Sequence, residues 1–128
     1  MLTFQTFATD LLEPKEASRL FQATALMPEN MSCEYFEQVV QRTGFEIIHK
    51  DIIDSEWREN GLENRWGSLD KSLLRLSRMR RLEYELVREY GRSFYEAAYA
   101  SYIWNVYQVL GKLCSITHVL KKPLSRSL

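Results

Sequence analysis

Phe45-Glu46-Ile47-Ile48-His49-Lys50-Asp51-Ile52-Ile53 is the stretch on which the fold turns. It concentrates β-branched and aromatic residues, which fit a pleated, half-buried surface, and it is shorter than an ordinary helix. A strand over 45–53 is therefore expected. The residues before it read as helix. Ser32 suits an N-cap, Tyr35, Phe36, Val39 and Val40 recur on one helical face, and Gly44 stands where a left-handed residue closes a helix. Strand, helices, glycine, strand is the punctuation of an α/β chain rather than an all-helical one.

Toward the N-terminus, Met1 to Thr9 is rich in Phe and Thr, the composition of a buried strand. Asp10 to Glu13 turns the chain, and Pro14 fits the first turn of a helix, where its missing N–H costs nothing. That helix presents Ala17, Leu20, Phe21 and Ala25, and Met27-Pro28-Glu29-Asn30 breaks it, so helices fill 14–43. Toward the C-terminus, 55–110 reads as a long helical insertion. Ser68 would cap one segment carrying Leu69, Leu73, Leu76, Met79, Leu82 and Leu86, which Gly91 ends. Ser93-Phe94-Tyr95-Glu96 has the form of a capping box for a helix that reaches Leu110, with Gly111 behind it. A closing strand over 113–120 meets a stop at Lys121-Lys122-Pro123. No internal repeat or low-complexity linker interrupts this order, so 1–123 is expected to be one domain and 124–128 a tail.

With 45% apolar residues in 128, the chain can bury a core of its own. Lys+Arg and Asp+Glu are both 17, which argues against a dedicated nucleic-acid binder, whose affinity comes mainly from neutralised phosphates. Apolar runs of about ten residues are too short to span a bilayer. Thr3, Gln5, Thr6 and Asp10 interrupt what would otherwise be a leader, and Cys33 and Cys114 have no metal-ligand spacing, so a reducing, cytoplasmic setting is expected.

Five stretches together resemble the C-terminal portion of class I S-adenosylmethionine-dependent methyltransferases of the small-molecule type. They are Thr6-Phe7-Ala8-Thr9-Asp10-Leu11-Leu12-Glu13-Pro14, Tyr35-Phe36-Glu37, Gly44-Phe45-Glu46-Ile47, Ser55-Glu56-Trp57-Arg58-Glu59, and Trp104-Asn105-Val106-Tyr107-Gln108-Val109-Leu110-Gly111-Lys112-Leu113. The resemblance implies a partial Rossmann-like sheet in which 1–9, 45–53 and 113–120 stand for the fifth, sixth and seventh strands. The last would be antiparallel and central, and the helices at 55–110 would form a lid over the substrate. It also implies S-adenosylmethionine as the family's methyl donor and a small-molecule methyl acceptor. The family grips its donor with a Gly-rich turn after the first strand. Gly44, Gly61, Gly67, Gly91 and Gly111 contain no such spacing, so this chain alone is not expected to bind the donor or to catalyse by itself.

Methyl transfer is an in-line displacement to which a protein contributes mainly alignment and exclusion of water. Aromatic and weakly polar lid residues suit that task. The helix after Ser93 is apolar nearly all round, with a single polar stripe at Ser101, Asn105 and Gln108, beside Trp104 and Tyr107. The stripe reads either as a pocket lining or as the one wet edge of a buried helix. Glu56 and Trp57 offer a carboxylate beside an indole, suited to a cationic substrate, although such a run is more often a capped helix start with a packed Trp. Asp51 and Asp54 flank a strand end, His49 and His118 read as sheet-face residues, and neither cysteine has a base at visible spacing. Arg75, Arg78, Arg80 and Arg81 read as a solvated, salt-bridged face with Asp70, Glu83, Glu85 and Glu89.

The strand at 1–9 would leave an unpaired, Phe-rich edge open to self-association. The same edge and the aromatic helix would be the interface if the chain were instead a non-enzymatic helical interaction module.

Overall fold

The computed structural model describes residues 1–65 and 69–124. Three strands, β1 (Leu2–Ala8), β2 (Glu46–Ile53) and β3 (Leu113–Lys121), form one sheet in the order β1-β3-β2, with β3 antiparallel to both neighbours. The last strand is thus central, and the chain is a helix-dominated α/β fold on an antiparallel sheet. Helices α1 (Pro14–Thr24) and α2 (Cys33–Arg42) lie between β1 and β2, separated by a single 3₁₀ turn at Pro28–Met31. Four more, α3 (Ser55–Glu63), α4 (Leu69–Arg81), α5 (Glu83–Tyr90) and α6 (Arg92–Val109), fill the insertion between β2 and β3.

Several boundaries follow from local chemistry. Pro14 occupies the first turn of α1, and the Glu16 carboxylate accepts the Glu13 N–H at 3.0 Å. Ser32 caps α2 by accepting the Tyr35 N–H at 3.2 Å. Gly44 closes α2 at φ +81°, a left-handed conformation that a side chain resists, and the Phe45 N–H returns to the Val40 carbonyl at 3.2 Å.

Other boundaries differ from the sequence reading. The leucine-rich segment is two helices, not one, because Leu82 leaves helical geometry at φ −109°, ψ 21°, and the bend lets α4 and α5 both pack on α6. No capping box forms at Ser93. Gly91 stands at the N-cap and α6 begins at Arg92, while the Glu96 carboxylate is drawn to Arg19 at 2.9 Å and Arg92 at 3.7 Å, charged donors that outcompete a backbone amide. Ala25 belongs to the C-cap of α1, at φ 54°, and not to its apolar face. Ser68, expected to cap the segment of Leu69, and residues 125–128 of the expected tail lie outside the described residues.

Leu20, Met31, Ala100 and Leu113 form the buried core where α1, the 3₁₀ turn, α6 and the start of β3 converge, with Leu12, Phe21 and Trp104 packed around them. On the α2 side of the sheet, Phe7 is buried against Phe36 and His118. On the α6 side, Thr6 Oγ1 lies 3.1 Å from Ser115 Oγ, which accepts from Gln108 Nε2 at 3.1 Å. Side chains alternate along a strand, so Leu2 and Phe4 share the face of Thr6. They remain 69% and 59% exposed. A strand with the composition of a buried one therefore sits at an edge, half of one face uncovered. No described helix is long and apolar enough to cross a membrane.

Truncating Leu113 to Ala in this core is expected to cost ~2–5 kcal/mol, whereas Leu110→Ala, at an exposed site, should change stability by less than about 0.5 kcal/mol. Urea unfolding midpoints of the two variants check this.

Candidate functional site

The edge position of β1 opens a cleft of about 520 Å³ between the strand, the 3₁₀ turn and α2. Tyr35, Phe36 and Val39 of α2 and Met31 form its apolar walls, with Trp104 of α6 at the back and Gln5 and Asn30 as its amide groups. Neither the Gln5 nor the Asn30 side chain makes a hydrogen bond among the described residues. Walls of this kind can hold an uncharged or weakly polar molecule by packing and one or two hydrogen bonds.

The residues singled out from the sequence divide sharply. Trp104 alone lines this cleft. Asn105 donates to Ser72 Oγ at 3.1 Å, tying α6 to α4, and Gln108 is consumed by Ser115. Two members of the polar stripe therefore face inward, joining elements, and are neither a pocket lining nor a wet edge. Ser101 is exposed. Tyr107 packs on the core, its hydroxyl pushed up in pKa by burial, with the Lys112 ammonium 5.6 Å from its ring. Lys112 itself is held by both oxygens of Glu16 at 2.5 and 2.7 Å. Glu56 and Trp57 open α3, far along the chain from the cleft, and neither lines it. Asp54 caps that helix by accepting the Glu56 N–H at 3.2 Å, and the Arg58 guanidinium lies 4.9 Å from the Trp57 ring.

Sequence reasoning missed the most concentrated polar cluster. His118, fully buried on β3, places Nε2 3.0 Å from Glu37 Oε1 of α2. The same oxygen accepts from Lys50 Nζ of β2 at 2.7 Å and from Cys33 Sγ at 3.4 Å. Burial would raise the Glu37 pKa, but hydrogen bonds from Lys50, His118 and Cys33, with the Lys50 charge, hold it at about 2. An ionised carboxylate can only accept, so His118 donates from Nε2, and Nδ1 has no partner among the described residues. Cys33 Sγ, Glu37 Oε1 and His118 Nε2 lie within 4.8 Å of one another, the spread of three metal ligands. The Lys50 ammonium already neutralises the shared oxygen, so the cluster is complete as a hydrogen-bonded hub joining α2 to β2 and β3. The helical spacing of Cys33 and Glu37 was visible in the sequence; the strand register that brings His118 and Lys50 opposite each other was not. Burial raises both thiol pKa values, Cys33 and Cys114 alike, which keeps them protonated and unreactive.

The arginines of α4 also depart from expectation. Arg75, Arg78, Arg80 and Arg81 are exposed, yet none forms an ion pair among the described residues; Glu83 instead pairs with Arg92 at 2.6 Å.

No protein-family model, curated protein or solved structure matches the chain.

With Glu37 at about 2 in the folded protein against 4.5 ordinarily, the unfolded chain binds more protons between those values. The hub therefore contributes stability above about pH 4.5 and loses it as pH falls toward 2. Glu37→Gln should flatten that part of the profile. Urea midpoints of both proteins across this range provide the check, and parallel acid limbs would count against the hub.

Proposed function

We propose that the chain is the substrate-side, C-terminal part of a class I S-adenosylmethionine-dependent methyltransferase domain acting on a small molecule. The strand order carries this reading: β1-β3-β2, with the last strand antiparallel and central, is the arrangement of the fifth, seventh and sixth strands of the resembled family. The free edge of β1 and the uncovered face at Leu2 and Phe4 support it, since a further parallel strand and its helix would occupy those places.

Among the described residues, the glycines do not fit the donor. Gly44, Gly91 and Gly111 follow helices and Gly61 lies inside one, so none forms the strand-to-helix turn that receives such a cofactor. S-adenosylmethionine would supply an electrophilic methyl group on a donor-binding half; this chain's part is to position the acceptor and exclude water. In the cleft along β1, Trp104, Tyr35 and Phe36 would pack the acceptor while Gln5 and Asn30 orient it. No carboxylate, histidine or lysine lines this cleft, so an acceptor needing deprotonation would rely on a base from the other half.

The uncovered apolar face equally favours a non-enzymatic module that self-associates through β1, with the same surface as the interface. Calorimetric titration of the purified chain with S-adenosylmethionine, with light scattering for mass, tests the first reading. No binding and a dimeric or larger species are expected, with Phe4→Lys returning the chain to a monomer. Micromolar donor binding by a monomer would overturn the proposal. An upstream reading frame encoding a Gly-rich strand–turn–helix would separate the enzyme from the module.

A further inference from the structure

A second concavity lies along the N-terminal half of α6, away from the Gln108 link to the sheet. It is a groove of about 420 Å³ between α4, α5 and α6, walled by Met79, Leu82, Leu86, Tyr90, Phe94 and Ala98. Leu82, Tyr90 and Phe94 are 49%, 55% and 62% exposed, which is a large apolar surface to leave in water. At ~30 Å³ for each water-sized volume, the groove has room for on the order of a dozen non-hydrogen atoms. Its floor is fixed: Tyr95 is buried and donates its hydroxyl to the Met79 carbonyl at 3.2 Å, and the Tyr90 and Phe94 rings lie 5.6 Å apart.

Two positive charges border the groove with no ion-pair partner among the described residues, and the Glu89 carboxylate, the acid that adjoins it, is engaged by the Tyr90 hydroxyl. Arg75 and Arg78, three residues apart on α4, are neighbours on one helical face and both border the groove. Arg75 donates to the Tyr102 hydroxyl at 3.4 Å and lies 5.3 Å from its ring; that neutral contact positions the guanidinium without neutralising it. Arg78 has no hydrogen-bond or ion-pair partner among the described residues. Glu83, the next acid along the chain, is taken by Arg92. An apolar channel ending in two unpaired guanidiniums fits a ligand with an apolar body and an oxyanion head, because guanidinium is suited to carboxylate and phosphate geometry.

We propose that this groove binds an amphipathic anion, whose acyl or aryl body fills the channel while Arg75 and Arg78 hold its carboxylate or phosphate. The site does not depend on methyl transfer, and it would be present in an enzyme part and in an interaction module alike.

Calorimetric titration of the whole chain with dodecanoate and with dodecyl phosphate, both below micelle formation, tests it. Saturable one-to-one binding is expected, and the tighter of the two identifies the head group. Dodecyltrimethylammonium, with the same body and opposite charge, should bind about tenfold or more weakly. Arg75→Gln with Arg78→Gln should weaken dodecanoate by a similar factor while leaving the circular dichroism spectrum unchanged, and Ala98→Trp should fill the groove and abolish binding. Both arginines are exposed, so the paired variant decides the matter even if Ala98→Trp does not fold. Absence of binding, equal affinity for anion and cation, or an unchanged affinity in the paired arginine variant would each overturn the proposal.

Discussion

β3 is hydrogen-bonded along both edges, to strands that lie more than a hundred and about seventy residues earlier in register, as in Thr6 opposite Ser115 and Glu46 opposite Lys121. Without the last strand, β1 and β2 are not paired with each other and no sheet exists. Everything in the structure is arranged so that a late segment can insert between two early ones. Loop closure on that scale carries an entropic cost that grows slowly with length, so it must be offset by packing on both faces of the inserted strand. Leu113 and Ser115 serve the α6 face, and Ile116, His118 and Leu120 the other.

The two faces are secured in different ways. On the α6 side, the amide of Gln108 and the hydroxyls of Ser115 and Thr6 form a short polar chain within apolar surroundings, and it fixes where the end of α6 meets the sheet. On the α2 side, Glu37 collects hydrogen bonds from one residue of its own helix and one from each of β2 and β3. Buried polar groups specify position because leaving them unpaired is costly. Of these groups only Thr6 also lines the cleft along β1, and its hydroxyl is engaged with Ser115, so the polar residues most visible in the sequence hold the fold rather than perform chemistry. The residues that could meet a ligand are aromatic or amide-bearing and stand at the edge the sheet leaves open.

The sequence was readable wherever a signal is local. The caps at Ser32 and Gly44, the turn at Pro14, the strand over 45–53 and the placement of the last strand in the centre were all accessible, the last through a family resemblance. The reading failed where a local pattern competed with a distant charge. Ser93 to Glu96 has the letters of a capping box, but Arg19, far along the chain, captures Glu96. The arginines of α4 sit among acids in the sequence, yet Arg92 takes Glu83 and leaves Arg75 and Arg78 turned to the groove.

By itself, the sequence determined the class of the fold, the alternation of strand and helix, and the kind of side chains available to a site, because hydrophobic period, caps and glycines act within a few residues. Only the tertiary structure decided which of those side chains face a cavity. Ser101, Asn105 and Gln108 form one stripe in sequence, but one is exposed, one is bound to Ser72 and one is bound to Ser115. His118 looked like an ordinary strand residue until strand register set it against Glu37 and Lys50. A side chain's partner is fixed by contacts made across the whole length of the chain, and no local pattern of residues contains that information.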